Sequence, residues 1–213
     1  QQNCLTKHYR LLDGNDVRQA WGTLEQCELR LNQIRVERNL PEMSGDAVIL
    51  VHGIGRSSKS FSRMKSELQD AGFAHVIGFD FPSTRVDIQT SAAYLHHAVS
   101  SLKGVERVHF VTHSLGGLIV REYLASYEEP RTGRLVMLGT PSHGATLADW
   151  FRLTPPYYVI LGPAGQQLGA NPNSYIRELP VPGCEFAVIA GGRGAAAPAL
   201  GGVAAGYNPL IPG

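Results

Sequence analysis

The run Thr112-His113-Ser114-Leu115-Gly116-Gly117 carries the residue types of a serine nucleophile held on a tight turn. It lies between an apolar run typical of a strand and a helical pattern, which is the setting of a nucleophile elbow. Ser114 is therefore the candidate nucleophile. Small residues two positions before and after such a serine relieve backbone crowding at the turn. Gly116 meets that requirement, whereas Thr112 stands where a glycine is usual.

A second glycine-rich turn, His52-Gly53-Ile54-Gly55, directly follows another strand pattern. Its glycines allow a backbone N–H to approach a substrate oxygen. Two such N–H groups form an oxyanion hole, and the loss of one donor costs about 3–4 kcal/mol of transition-state stabilisation. We expect the backbone N–H groups of Ile54 and Leu115 to form this hole, with Gly53 and Gly116 keeping both turns tight.

Histidines next to both turns are predicted to support the site. His52 should hold its loop through a hydrogen bond, and His113 should point away from the serine. His143 follows the run Gly139-Thr140-Pro141, a loop that should line the same cleft. It could act as a base, but a polar loop contact is the preferred interpretation, because it precedes the usual position of a triad histidine. The pair His96-His97 has no further ligand at metal-binding spacing, so no metal site is predicted.

Short apolar, β-branched runs alternate with helical patterns along most of the chain. The helical patterns lie near residues 61–71, 88–102 and 118–124. Runs such as Val48-Ile49-Leu50-Val51 are apolar on both faces, as expected for a parallel sheet covered by helices on both sides. The sequence therefore predicts an α/β fold with a doubly wound, mostly parallel sheet. The predicted strands cover residues 47–51, 75–79, 107–112, 134–138 and 186–190.

The 213 residues suit a single domain, 1–213, with an N-terminal helical extension over 1–41. Apolar residues recur three or four apart from Asp16 to Asn39, which predicts one long helix capped by Asp16 or Asn15. The prolines of the stretch 154–183 predict that any regular structure in it is short, and the stretch is interpreted as a wall or cap over the site. The Gly/Ala-rich stretch 191–206 is predicted to be a mobile loop.

Composition excludes several classes of function. A hydrophobic fraction of 43% with 17% charged residues is ordinary for a soluble globular protein. Nineteen Lys and Arg against 18 Asp and Glu give a formal charge of +1, so no strong field would attract nucleic acid. No apolar run is long enough to predict a transmembrane segment. The oligomeric state is not predicted.

Three cysteines give neither a metal spacing nor a disulfide framework. Unpaired thiols are the preferred interpretation, and a Cys4–Cys27 bridge in an exported protein is the alternative. The sequence opens with Gln1 rather than Met, which suggests that an upstream segment was processed or left out. Together these features give a weak preference for a secreted or periplasmic location.

The three turns, taken together, resemble the α/β-hydrolase superfamily, and within it the small bacterial lipases and esterases. The likeness covers Asp46 to Pro141, with weaker support at 162–169 and 208–210. It implies hydrolysis of a carboxylic ester through an acyl-Ser114 intermediate, with no metal or organic cofactor. A lipid ester is the favoured small-molecule substrate because the segment 151–161 is rich in apolar and aromatic residues.

The resemblance also implies a triad in the order serine, acid, histidine. After Ser114 the sequence contains one histidine, His143, and after Glu185 it contains no acid. We therefore expect the acid and the histidine of the triad to follow Gly213 in a longer chain. Asp149 or Glu185 could serve as the acid, but no spacing places either beside the serine. The alternatives are a catalytically incomplete, hydrolase-like binding module and an acyltransferase.

Overall fold

A computed structural model describes residues 8–13, 17–142, 162–168 and 175–190. The chain divides into two compact units, Gln1–Met43 and Ser44–Gly213. In the first unit, β1 (Tyr9–Leu12) pairs antiparallel with β2 (Arg18–Gly22), and α1 (Leu24–Glu37) follows.

The prediction of one helix from Asp16 to Asn39 is wrong at its N-terminal end. The structure has β2 there, and α1 begins only at Leu24. Thr23 caps the helix, because its hydroxyl accepts a hydrogen bond from the Gln26 N–H at 3.2 Å and the Gln26 side chain accepts one from the Thr23 N–H at 2.9 Å. Gly22, with φ of +148°, separates strand from helix. The predicted caps at 15 and 16 lie outside the described residues.

The predicted apolar stripe of this helix is buried only in part. Cys27 and Ile34 are each 6% exposed, whereas Trp21 and Leu24 are about half exposed. Cys27 has a free thiol, and Cys4 lies outside the described residues.

The second unit contains a parallel five-stranded sheet in the order β4-β3-β5-β6-β7. All five predicted strands are present, which confirms the predicted α/β fold. Their bounds are β3 (Gly45–Val51), β4 (His75–Phe79), β5 (Val105–His113), β6 (Thr132–Leu138) and β7 (Phe186–Ile189). The described helices are α2 (Ser62–Asp70, after a 3₁₀ turn at Ser58–Phe61), α3 (Ile88–Ser100), α4 (Leu115–Ser126), α5 (162–167) and α6 (Tyr175–Glu178).

Helices cover both faces of the sheet. On one face, Val48 and Leu50 form a buried cluster with Phe61, and Met64 of α2 packs against it. On the other face, the ring of Phe110 lies 5.9 Å from that of Tyr123 in α4. Successive strand residues point to opposite faces of the sheet. Because helices cover both faces, residues on both are apolar, which explains continuous apolar runs such as Val48 to Val51.

The sheet order places the ends of β3 and β5 side by side. Val51 pairs with Thr112 at the carboxyl ends of these strands. The chain leaves β3 toward β4 on one side, and β5 continues toward β6 on the other. In open α/β sheets, the crevice at such a reversal is where ligands bind.

Two further predictions fall wholly or partly outside the described residues. The proposed mobile loop at 191–206 lies outside them, and so do residues 154–161 and 169–174 of the proposed wall at 154–183. Among the helices that the structure describes, none has the length and apolar character needed to cross a membrane.

Candidate active site

Ser114 occupies the sharp turn between β5 and α4. Its backbone has φ of +52° and ψ of −121°, a conformation that residues other than glycine rarely adopt. Such strain costs on the order of 1–3 kcal/mol and persists only where the surrounding structure enforces it. Here the Ser114 N–H donates to the Leu138 carbonyl at 2.9 Å, and the Gly117 N–H donates to the Ser114 carbonyl at 3.0 Å. Ser114 remains partly exposed.

The start of α4 packs directly on the end of β3. A Cβ added at Gly116 would lie 2.3 Å from the Val51 carbonyl oxygen and 2.9 Å from that of His52. No side chain fits in that space, so position 116 requires glycine. Thr112, on the other side of the turn, is fully buried, and its hydroxyl donates to the Val136 carbonyl at 3.3 Å. The sheet thus accommodates Thr112 at the position where a glycine is usual in such a turn.

The turn after β3 lies against Ser114. A Cβ added at Gly53 would lie 3.2 Å from the Ser114 Cβ and 3.0 Å from the His113 Nδ1. The Arg56 N–H donates to the Gly53 carbonyl at 3.3 Å, and the Gly55 N–H donates to the Ser83 hydroxyl at 3.0 Å. The structure therefore brings together the two turns from which the sequence predicts an oxyanion hole.

The two N–H groups predicted for that hole have no hydrogen-bond acceptor in the described part of the chain. Leu115 is the first residue of α4, and the first N–H groups of a helix have no partner within the helix. The helix dipole adds partial positive charge at this end. Such a terminus can stabilise a negatively charged oxygen.

His52 is 1% exposed and stacks on Phe81, with the ring centroids 4.3 Å apart. Its Nδ1 donates to the Gly53 carbonyl at 2.8 Å, while its Nε2 lies 3.6 Å from the Asp80 carboxylate. Burial lowers the pKa of His52 below its ordinary value, although the Gly53 carbonyl and Asp80 oppose that shift. The imidazole is therefore neutral near pH 7, and it holds the turn after β3.

His113 is exposed at the end of β5. Neighbouring atoms still shield part of this residue from water, which lowers its pKa, and the positive charge of Arg56 lowers it further. None of the histidines within the described residues forms a hydrogen bond with the Ser114 hydroxyl. His143 lies outside those residues, and so does Asp149.

Glu185 is not brought to the serine. It precedes β7 at the amino edge of the sheet and forms an ion pair with Arg134 at 2.8 Å. Ser114 lies at the opposite, carboxyl edge, so Glu185 cannot serve as an acid beside it.

A cavity of about 560 Å³ opens at this carboxyl edge, and the sequence does not predict it. His113 and Leu138, the last residues of β5 and β6, lie in its wall. The one available sequence signal is the position of Arg56, directly after the 52–55 turn. The lining residues are Arg56, Ser60, Phe61, Arg63, Met64, Glu67, His113 and Leu138.

Solved structures with the same fold include lipases and esterases. A phospholipase, PlaB from Legionella pneumophila, superposes with a TM-score of 0.50 at 21% identity, over 58% of this chain and 31% of its own. The propeptide form of Bacillus licheniformis lipase BlEst2 has a TM-score of 0.52 at 22% identity, over 72% of this chain and 37% of its own. A metagenomic carboxyl esterase, MGS0156, has a TM-score of 0.52 at 22% identity, over 70% of this chain and 50% of its own.

The chain therefore shares the α/β-hydrolase fold of these enzymes. The chain spans between 31% and 50% of the length of the three enzymes described. Residues 11–173 match DUF7379, a domain of unknown function, and the chain belongs to that family. No curated protein matches it.

Proposed function

We propose that this chain carries the nucleophile and the oxyanion hole of a serine hydrolase that cleaves carboxylic esters. The observation that carries the proposal is the strained, partly exposed backbone of Ser114, packed against a second turn with available N–H groups. A fold alone does not define an activity, so the proposal depends on this site.

The reaction would proceed through a covalent intermediate. The Ser114 hydroxyl oxygen bonds to the acyl carbon, and the carbonyl π electrons move to its oxygen. The N–H groups of Ile54 and Leu115 stabilise that oxyanion. When it collapses, the bond to the alcohol breaks and the alcohol leaves. Water then attacks the acyl-serine, which releases the carboxylic acid and restores Ser114.

A base must take the serine proton and return it to the leaving alcohol. The described residues hold no group in hydrogen-bond contact with the Ser114 hydroxyl, so the proposal assigns this task to a histidine outside them. Ser114 as a residue is partly exposed, as a nucleophile that an ester must reach requires.

Labelling with a fluorophosphonate probe tests the nucleophile. We expect the full-length protein to form one adduct at Ser114, located by peptide mass spectrometry, and we expect Ser114→Ala to abolish it. Ser101→Ala is the matched control, because Ser101 lies at the far end of α3 and its hydroxyl donates only to the Ala98 carbonyl. An unlabelled wild-type protein, or undiminished labelling of Ser114→Ala, contradicts the proposal.

Hydrolysis of p-nitrophenyl esters of increasing acyl length tests the substrate class. We expect release of p-nitrophenol that depends on Ser114, and the length profile separates lipase from esterase activity. Added alcohols reveal acyl transfer if they divert the product from the free acid to a new ester.

A further inference from the structure

The cavity that His113 lines, at the carboxyl edge of the sheet, has an apolar floor. Phe61 belongs to the buried core cluster of the sheet, and Met64 and Leu138 pack against that cluster. All three line the cavity. A hydrocarbon chain lying on this floor would be removed from water, which is favourable by about 25 cal/mol per Å² of buried apolar surface.

The charges of the described residues that line the cavity do not all offset one another. Arg63 and Glu67 are one turn apart on α2 and form an ion pair at 3.2 Å, so their charges offset each other. The guanidinium of Arg56 has neither an ion pair nor a hydrogen bond within the described residues. The rim therefore has a net charge of about +1 in the pH range in which His113 is neutral.

His113 connects this cavity to the candidate nucleophile. It lines the cavity, and it immediately precedes Ser114 in the chain. Because Arg56 and partial burial both lower the pKa of His113, its ring stays uncharged near neutral pH. Arg56 therefore remains the lining residue whose charge no ion pair within the described residues offsets.

We propose that the cavity binds the acyl chain of an ester that ends in a carboxylate, with the carboxylate paired to Arg56 and the methylene groups on the floor formed by Phe61, Met64 and Leu138. This inference rests on the proposed ester hydrolysis at Ser114. A guanidinium offers paired N–H donors that match a carboxylate. One uncompensated arginine suits a singly charged carboxylate better than a doubly charged phosphate monoester.

The test uses mono-p-nitrophenyl esters of succinic, glutaric and adipic acid, which keep one free carboxylate. Each is compared with the p-nitrophenyl ester in which that carboxylate is a neutral methyl ester. In the wild-type protein we expect a higher kcat/KM for at least one acid than for its methyl ester. In Arg56→Gln we expect that preference to fall roughly tenfold, and in Arg56→Lys we expect it to fall less. The preference should also weaken as salt concentration rises.

Lys103→Gln is the matched control, because it removes one positive charge from the opposite edge of the sheet. Lys103 precedes the amino end of β5, and we expect its loss to leave the preference unchanged. The inference is overturned if the wild type and Arg56→Gln have the same ratio of kcat/KM for acid over methyl ester. It is also overturned if the wild type prefers the neutral ester in every pair.

Direct binding separates this inference from the proposed function. Monomethyl glutarate is titrated by calorimetry into Ser114→Ala, which cannot react, and into the double variant Ser114→Ala/Arg56→Gln. Saturable binding that is lost in the double variant supports the cavity assignment, even if fluorophosphonate labelling fails. The absence of saturable binding to Ser114→Ala, or binding that survives removal of Arg56, contradicts it.

Discussion

At the scale of single residues, the turn at Ser114 depends on the absence of a side chain at position 116. In Gly116→Ala the new methyl group would lie 2.3 Å from the Val51 carbonyl oxygen, and this backbone oxygen cannot rotate away. We expect a loss of about 1–3 kcal/mol in the free energy of unfolding, because overpacked sites typically cost this much. Fluorophosphonate labelling should fall as well, because α4 must shift away from β3. Urea unfolding and labelling rates measure the two effects.

Gly183→Ala is the control for this substitution. An added Cβ there has nothing within 4 Å, and its backbone has no positive φ. We expect wild-type stability and labelling. If Gly116→Ala behaved like this control, the close packing of α4 on β3 would be refuted.

His52 gives the site a dependence on pH through stability. Its pKa is lowered in the folded state, so the unfolded chain binds a proton more readily, near the ordinary value of 6.5. Its contribution to stability is complete above that value and is lost as the pH falls through the lower, folded pKa. We therefore expect the free energy of unfolding to decline less between pH 7 and pH 5 in His52→Gln than in the wild type.

The two proteins are compared by the slope of the free energy of unfolding against pH. The free energy itself is not compared, because removing a buried hydrogen bond lowers it at every pH. The contributions of His113 and of the carboxyl groups are shared by both proteins and cancel in the difference. Identical slopes would show that burial does not shift the titration of His52.

The sequence predicts the residues of a site well when they lie close together along the chain. The serine turn is such a case, because a strand, a glycine-flanked serine and a helix follow one another within a few residues. Arg56 is different, because its role depends on where α2 packs and on which neighbouring charges are already paired. Its type and exposure are those of an ordinary surface residue, so only the folded arrangement singles it out.

At the scale of elements, α4 holds the segment around α6 through a buried arginine. Arg121 is 8% exposed and donates to the carbonyls of Leu179 and Pro180. The hydroxyl of Tyr175 donates to the carboxylate of Glu122, also in α4. Two side-chain contacts therefore fix α6 to the helix that begins at the candidate nucleophile.

We expect Arg121→Met to lower the free energy of unfolding by about 2 kcal/mol, because two carbonyls lose a charged donor. Proteolysis near residues 175–180 should become faster. Arg134→Met is the control, since Arg134 is exposed and pairs with an exposed Glu185. Wild-type protection of this segment in Arg121→Met would show that other contacts hold it.

The sequence correctly predicts the strands of the parallel sheet, but it wrongly predicts where the first helix begins. Each strand contains a short run rich in apolar and β-branched residues, which is typical of a buried strand when the run is bounded by turn residues. Val17, Ala20 and Trp21 have a helical spacing, yet Arg18–Gly22 forms a strand because β1 supplies backbone hydrogen bonds to it. Pairing between distant segments overrides local periodicity here, and only the capping signal at Thr23 and Gln26 marks the true start of α1.

At the scale of the whole molecule, the proposed chemistry belongs to one of the two compact units. The serine turn, the 52–55 turn and every lining residue of the cavity lie within Ser44–Gly213. We therefore propose that this unit is the hydrolase domain and that residues 1–43 are an extension of it.

Removing residues 1–43 tests this division. The parallel sheet, with β3 at its interior, lies wholly in the remaining unit, so we expect the shortened protein to fold cooperatively. We also expect it to label with the fluorophosphonate probe at the rate of the uncut protein, because the turn at Ser114 and its backbone partners are retained. The shortened Ser114→Ala protein controls for labelling elsewhere. If the shortened protein folds, as judged by circular dichroism and a cooperative unfolding transition, but labels more slowly, the first unit contributes to the site and the proposed division is wrong.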